Sequence, residues 1–249
     1  MRVGAARVLG AVAIAGALGL AASGARAIPI TLTAYADGVL IGQSDQNALG
    51  CVDNPDGVSA VCNAAGIEYG ADYTAISVSI TNLQIDSDPV VTGTTGITNS
   101  QAFAQHITLV YTLPVAAMPF GTVTGGRISG TLTDQDANGA SVSTAGAGTA
   151  FYTALLDGAN WQQLYTDPAS FAVLGTSTAI PNVTFGSPIP SLPGPAVAST
   201  IGIRLDFILS GFDSVSFTSN HVVNPVPEPG TAALVGLGLV FLAGRRRSN

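Results

Sequence analysis

The stretch "ASTIGIRLDFILSGF", residues 198–212, decides the fold class of this chain. Its large apolar side chains occupy every second position: Ile201, Ile203, Leu205, Phe207 and Leu209. A two-residue period is typical of a β-strand with one buried face. After a short Gly-Phe-Asp turn the chain continues as "SVSFTS", which alternates in the same way. The region therefore predicts two successive strands, each with one face in a core.

The same alternation recurs in four earlier stretches: "ITLTAYA" (30–36), "TAISVSI" (74–80), "FAQHITLVYTL" (103–113) and "RISGTLT" (127–133). In the third stretch, one predicted face consists of Phe103, Ile107, Leu109, Tyr111 and Leu113. Gly, Asn and Asp separate the runs repeatedly, as turns between short strands do. These patterns predict an all-β fold, an antiparallel β-sandwich or jelly-roll-like domain that spans residues 28–224.

Two segments interrupt the strand pattern. In "TDPASFAVLG" Asp167 suits a helix N-cap, Pro168 the first helical position and Gly175 the stop, so the sequence predicts one or two helical turns. From residue 176 to 195 the chain carries five prolines. We expect a long surface excursion there, whose returning strands complete the same domain.

Positive charge is almost confined to the two ends of the chain. Between residues 28 and 227 there are fourteen acidic residues and only two cations, Arg127 and Arg204. Nucleic-acid binding needs clustered cations that neutralise phosphates, so we exclude a nucleic-acid partner. An anionic polymer would be repelled as well, unless divalent cations bridged it to the protein.

The two cysteines, Cys51 and Cys62, enclose the sequence "VDNPDGVSAV". The turn signal "NPDG" brings the two arms together, and a disulfide closing this short loop would stabilise the fold by roughly 3 kcal/mol. Two free buried thiols are the alternative. A zinc site is poorly supported, because neither histidine is near in sequence.

"DQDANG" is the sharpest local motif of the body. Asp134, Asp136 and Asn138 stand at alternate positions before a glycine, as at the start of an EF-hand-type calcium loop. The twelfth position of such a loop should be glutamate, but Ala145 stands there. The stretch is therefore either a type I′ hairpin turn without metal, since Asn-Gly favours that turn, or a calcium site completed by distant oxygens. No other cofactor is indicated.

Trp161 and Tyr165, in "GANWQQLY", are candidate ligand-binding residues. An aromatic face packs well on a sugar ring, which would make the domain a carbohydrate-binding module. A single tryptophan is more often part of a core, and this interpretation stays open beside the first.

A secreted hydrolase is a third hypothesis, although the chain lacks a G-x-S-x-G nucleophile elbow. We expect His106 on the surface of a strand and His221 in solvent. Asp86 and Asp88, or Asp206, are the nearest candidates for a glycosidase pair. The sequence "DSDP" around the first two reads as a turn. No catalytic residue is therefore assigned.

Residues 1–27 predict a secretory signal peptide. Two arginines precede an apolar run, and Ala25 and Ala27 form the A-x-A site that signal peptidase accepts. An uncleaved anchor is the alternative, but the run is short and rich in glycine.

The apolar stretch 232–244 predicts a short transmembrane helix near the C-terminus. Such a helix extends only about 20 Å, against a hydrocarbon core of roughly 30 Å. An arginine cluster follows it: Arg245, Arg246 and Arg247. These cations should stay on the cytoplasmic side, while the body between the two ends crosses outward.

A "VPEP" tetrapeptide precedes this stretch and consists of Val226, Pro227, Glu228 and Pro229. Its prolines should keep it extended and accessible at the membrane face. The order of motif, short apolar helix and basic tail over residues 226–249 resembles the PEP-CTERM sorting signal of Gram-negative bacteria. The resemblance implies that an exosortase cleaves the segment 225–249, and it links the chain to exopolysaccharide and biofilm matrix. A simple tail anchor is the alternative.

Together these features predict an exported, non-enzymatic protein. We expect it to be anchored transiently in the inner membrane and then to reach the cell surface or the extracellular matrix of a Gram-negative bacterium. Signal peptidase and an exosortase are the expected processing partners, and exopolysaccharide is a candidate ligand. A carbohydrate-binding module assisted by calcium is the main alternative.

Overall fold

A computed structural model describes residues 29–86, 88–226 and 235–239 of the chain. Nearly all of its regular structure is β-strand. The strands in chain order are β1 (Thr31–Ala36), β2 (Val39–Ser44), β3 (Cys51–Asp53), β4 (Ser59–Tyr69), β5 (Ile76–Asp86), β6 (Val90–Asn99), β7 (Gln105–Pro114), β8 (Thr122–Thr133), β9 (Ala140–Ser143), β10 (Ala150–Leu156), β11 (Ala159–Thr166), β12 (Ser170–Val173), β13 (Ser177–Phe185), β14 (Leu192–Gly194), β15 (Thr200–Leu209) and β16 (Ser214–Pro225). One turn of 3-10 helix, Asp72–Thr74, precedes β5.

The strands form two antiparallel sheets. The first sheet has the order β11-β10-β15-β7-β1-β2, and β9 pairs with the end of β15 and with β12. The second sheet has the order β13-β8-β16-β6-β5-β4-β3, and β14 pairs with β8. Every strand pair in the described residues is antiparallel, so the predicted all-β antiparallel fold is confirmed.

The inner faces of the two sheets share one apolar core. Phe207 of β15 meets Phe217 of β16 edge to face, with ring centroids 5.2 Å apart. The buried hydroxyls of Tyr111 in the first sheet and Thr95 in the second form a hydrogen bond of 2.8 Å. Apolar packing and paired polar groups therefore hold the two layers face to face.

The alternation in the sequence predicted the strand faces. The five apolar residues of the β15 face are each at most 1% exposed, and Ile107, Leu109, Tyr111 and Leu113 of β7 are buried in the same way. Phe103 is the exception, since it precedes β7 and is 44% exposed. Gln105 is fully buried at the start of the strand, where its side-chain amide donates to the Tyr73 carbonyl.

The prediction of a helix that begins at Asp167 is wrong. Residues 170–173 form β12, which pairs with β9. The Asp167 carboxylate does not cap a helix, because it accepts a hydrogen bond from the Thr144 hydroxyl at 2.7 Å. Phe171 and Val173 pack against the core from alternate positions, which is strand spacing. Tertiary pairing has overridden the local capping signal.

The proline-rich stretch is not the surface excursion that we expected. It forms β13 and β14, which both pair with the same edge of β8. Pro181 lies where the register between β13 and β8 shifts, and an edge strand tolerates proline at such an irregularity. The expectation that later strands return to complete the same domain is confirmed by β15 and β16.

The disulfide between Cys51 and Cys62 is confirmed. The two residues are direct cross-strand partners in the β3–β4 pair at one edge of the second sheet. The predicted turn between them is formed as well, with the Gly57 N–H donating to the Asn54 carbonyl at 3.0 Å. The bond therefore closes the outermost hairpin of this sheet.

Near the C-terminus, residues 235–239 form a short helical segment with exposed apolar side chains. Within the described ranges, no helix combines the length and the apolar character that crossing a bilayer requires. Most of the predicted span 232–244 lies outside these ranges, as does the whole predicted signal peptide 1–27. Both stay predictions.

Candidate functional site

Three connections between the sheets meet at one corner of the molecule, which we call the crossing corner: residues 134–139 between β8 and β9, 174–176 between β12 and β13, and 210–213 between β15 and β16. The Asp134 N–H donates to the Thr176 carbonyl at 2.9 Å and joins the first two connections. The pairing of β16 with β8 begins at Ser214 opposite Thr133. This register places Asp213 beside Asp134.

The crossing corner brings together the carboxylates of Asp134, Asp136 and Asp213. One oxygen of each lies within 4.8 Å of the other two. Asp134 and Asp213 are buried, whereas Asp136 is exposed. In the part of the chain that the structure describes, the only carboxylate paired with a basic side chain is that of Asp206, which is not one of these three. The corner therefore concentrates negative charge, and no described basic side chain pairs with it.

The two oxygens of Asp134 have different surroundings. Oδ2 accepts hydrogen bonds from the backbone N–H groups of Gly175 at 2.9 Å and Gly139 at 3.0 Å. These N–H groups hold the pKa of Asp134 below its usual value against the opposing effect of burial, so the side chain is ionised at neutral pH. Oδ1 is buried and has no hydrogen-bond partner among the described residues.

The other two carboxylates of the corner have donors on both oxygens. Asp213 accepts from the Gln135 N–H at 3.3 Å and from the Ser210 hydroxyl. Asp136 accepts from the backbone N–H and the side-chain amide of Asn138. Asn138 thus orients a neighbouring carboxylate, and its predicted role as a direct metal ligand stays a prediction.

The type I′ hairpin is wrong as an interpretation of "DQDANG". β8 belongs to the second sheet and β9 to the first, so these two strands do not pair across the turn. The Asn-Gly signal is local, whereas the pairing of β9 with β12 and β15 fixes where the chain goes next. Sequence reasoning also missed Asp213, because its place depends on the register between β16 and β8.

The carboxylate of Asp157, in the turn between β10 and β11, contacts the segment that leads into β15. It accepts from the backbone N–H groups of Ala198, Ser199 and Thr200 at 2.7–3.0 Å, and from the Ser199 hydroxyl. Burial opposes ionisation, but the N–H groups outweigh it and hold the pKa of Asp157 below its usual value. This carboxylate fixes the chain that enters β15.

Trp161 and Tyr165 lie on β11, and Trp161 stands where the register between β11 and β10 shifts. Both are half-buried against the core. The Trp161 indole N–H donates to the Thr124 hydroxyl at 3.0 Å, and the Tyr165 hydroxyl donates to the Pro181 carbonyl at 2.6 Å. Tyr165 also packs edge to face on Phe171. Both rings have structural contacts, and a sugar-stacking role stays a prediction.

His106 lies on β7 and is partly exposed, much as the sequence predicted. Its Nε2 is 2.7 Å from Oδ1 of Asp206 on the neighbouring strand β15. Residues 100 apart in sequence form this pair, so no local signal reveals it. Within the described residues no serine, threonine or cysteine side chain is hydrogen-bonded to His106, so the pair lacks the nucleophile of a hydrolytic triad.

His221 is fully buried, and the expectation that it is solvated is wrong. Its Nδ1 is 3.1 Å from the Gly202 carbonyl of the opposite sheet, and its Nε2 has no partner in the described structure. Desolvation lowers the pKa of His221 to about 4, so the ring is neutral at neutral pH. The alternation of Val215, Phe217 and Val223 continues through position 221 and could have revealed this burial.

Asp86 and Asp88 lie in one turn, and their contact there does not test a role as a catalytic pair. The Asp88 N–H donates to Asp86 Oδ1 at 3.0 Å, which is the local turn that the sequence predicted. Asp86 also lines a shallow cavity of about 240 Å³ together with Asn54 and Gln84. Asp86 is the only acidic residue among the described residues that line this cavity.

The body of the protein ends where the predicted sorting motif begins. β16 runs to Pro225, which pairs with Thr122, and the Val226 N–H donates to the Gly121 carbonyl at 3.2 Å. Val226 itself is 41% exposed, as expected for an accessible motif. The other predicted motif residues lie outside the described residues: Pro227, Glu228, Pro229, Arg245, Arg246 and Arg247.

Comparison with protein families supports this placement. Residues 225–247 match the family model of the PEP-CTERM protein-sorting motif. A search of curated proteins gave no significant match. The resemblance that the sequence suggested is confirmed for this segment. The chain therefore carries a PEP-CTERM protein-sorting motif near its C-terminus and is a sorted protein targeted to an exosortase.

Proposed function

We propose that the chain is an exported, non-enzymatic protein of the bacterial cell surface or exopolysaccharide matrix. Its signal peptide (1–27) directs export, its β-sandwich body crosses the inner membrane, and the apolar segment 232–244 holds the precursor there until an exosortase cleaves it. The match to the sorting motif at residues 225–247 is the observation that carries this proposal.

The attachment of the motif to the body supports cleavage beyond Val226. β16 is hydrogen-bonded to β8 on one side and to β6 on the other. Residues up to Val222 are paired on both sides, and residues 223–225 are paired with β8, so drawing β16 into a membrane enzyme would break these hydrogen bonds. We therefore expect cleavage after Val226, whose N–H makes the last backbone contact between the motif and the body among the described residues.

A non-enzymatic role is consistent with the contacts of the titratable groups. In the described structure His106 is bonded to a carboxylate and His221 is a buried, neutral residue between the sheets. Neither is hydrogen-bonded to a hydroxyl or thiol that it could activate. The strongly acidic body also suits a soluble matrix component better than a binder of anionic polymers.

The experiment compares three forms of the chain in a Gram-negative host with and without an exosortase. The complete chain should lose its C-terminal segment only when the exosortase is present, which mass spectrometry of the mature protein detects. A form lacking residues 227–249 keeps the described body and should appear in the periplasm or medium. An intact tail on the mature envelope protein, or membrane retention of the truncated form, would contradict the proposal.

The two glutamates of the chain provide a matched control pair. Glu228 lies in the motif, and Glu68 is exposed on β4 in the body. Glu228→Gln should accumulate as uncleaved precursor in the membrane, whereas Glu68→Gln should be processed like the wild type. Equal processing of both variants would show that the exosortase does not recognise Glu228 of the motif.

A further inference from the structure

The three carboxylates of the crossing corner form an oxygen-rich cluster that no described protein cation neutralises. Like charges this close repel each other, and burial of two of the three residues increases the cost. Acidic clusters alone do not identify a metal site. The contact pattern of Asp134 adds an independent observation.

Asp134 is 7% exposed, and its Oδ1 has no hydrogen-bond partner among the described residues. Its Oδ2 is saturated by two backbone N–H groups, which fixes the carboxylate and leaves Oδ1 as a buried acceptor. A buried ionised oxygen without a partner is strongly unfavourable, and native proteins rarely leave one. A cation bound between the carboxylates would give this oxygen a partner and would also reduce the repulsion among the three negative charges.

We infer that Asp134, Asp136 and Asp213 bind a divalent cation at the crossing corner, and that the cation is Ca²⁺. All three ligands are hard carboxylate oxygens, which Ca²⁺ prefers. Two oxygens that bind one Ca²⁺ ion lie at most about 5 Å apart, given bond lengths of 2.3–2.6 Å, and the cluster fits that span. Mg²⁺ is rarely held by a set made only of protein carboxylates.

Asp213 replaces the ligand that the EF-hand pattern lacks. The twelfth position of that pattern is Ala145, whereas Asp213 reaches the site from the turn between β15 and β16. The ion therefore joins two connections between the sheets directly. A third connection contributes through the Gly175 N–H on Asp134. Binding should accordingly stabilise the whole β body, because all three crossings become fixed.

The test is calcium titration of the purified chain after treatment with a chelator. We expect one ion per chain by calorimetry, with an affinity of about 0.1–1 mM, as in extracellular calcium modules. At a concentration ten times the dissociation constant, the thermal midpoint should rise by roughly 4 °C. The absence of binding, or an equal midpoint rise with Mg²⁺, would overturn the assignment.

Three substitutions test whether the ion binds at the crossing corner. Asp136→Asn changes the exposed member of the cluster, so it should fold, and we expect it to weaken calcium binding about tenfold or more. Asp213→Asn should have the same effect, since the side chain keeps one acceptor oxygen but loses the charge and the second carboxylate oxygen. Asp157→Asn alters a carboxylate outside the cluster and should keep the calcium response. Unchanged binding in both cluster variants would remove the site from this corner.

Discussion

The crossing corner and the Asp157 turn hold carboxylates in opposite ways. At the Asp157 turn one exposed carboxylate receives hydrogen bonds from three backbone N–H groups and a hydroxyl. At the crossing corner three carboxylates meet, and the buried Oδ1 of Asp134 has no donor in the described structure. The protein completes the first arrangement by itself, whereas the second is the place where we propose that a cation binds. The balance of donors, more than the number of acidic residues, therefore distinguishes a structural carboxylate from a metal ligand.

The largest expected effect on the unfolding free energy comes from the protonation of His221. It decides the pH at which the crossing corner and the Asp157 turn can be compared. The pKa of His221 is lowered to about 4 in the folded chain, from 6.5 in the unfolded one. The unfolded state therefore binds more protons between these values, and stability falls as the pH drops from 6.5 to 4. The loss of unfolding free energy is on the order of 3 kcal/mol. A loss of this size would mask the effects of substitutions in the crossing corner or in the Asp157 turn.

Urea unfolding at pH 7.5, 5.5 and 4 measures this loss. His221→Gln removes the titrating group, so the fall in unfolding free energy between pH 6.5 and 4 should largely disappear. His106→Gln is the control, because that ring is partly exposed and lies outside the interface between the sheets. If both variants keep the wild-type pH dependence, the source of acid sensitivity lies elsewhere.

Asp157→Ala should give the next largest effect. It removes the acceptor of three backbone N–H groups at the entry to β15. Hydrogen bonds to a charged acceptor contribute strongly, but the exposed position weakens them, so we expect a loss of about 1.5 kcal/mol. The measurement is urea unfolding at pH 7.5, with and without calcium. An identical loss in both conditions is expected, and a loss confined to calcium-containing buffer would make this turn a second ion site.

Asp136→Asn in the absence of calcium should give the smallest effect, with the opposite sign. Removal of one charge relieves repulsion from Asp134 and Asp213, so stability should rise by about 0.5 kcal/mol. With calcium present the same change should be destabilising, because a ligand is lost. Thermal melts in chelator and in calcium reveal this reversal. A variant that destabilises equally in both buffers would mean that the corner is held by its own hydrogen bonds.

The strand faces could be predicted from the sequence because side-chain direction alternates with chain position. Val215, Phe217, His221 and Val223 all follow that rule on β16. The prediction failed for His221 only because a polar residue was assumed to be solvated. The prediction of a helix at Asp167 failed because a capping pattern is local, whereas the contact of Asp167 with Thr144 comes from the pairing of β12 with β9. A local sequence pattern predicts secondary structure correctly unless the same residues pair with a strand that is distant in sequence.

The sequence by itself determined the β class, the Cys51–Cys62 bridge and the sorting motif at residues 225–247. Each depends on residues that are close together in the chain, so spacing indicates it, and for the cysteines the structure decided between a bridge and free thiols. The tertiary structure alone decided that Asp213 joins Asp134, that Asp206 reaches His106 and that His221 lies between the sheets. These contacts join residues far apart in sequence, and only strand register and the packing of the two layers bring them together.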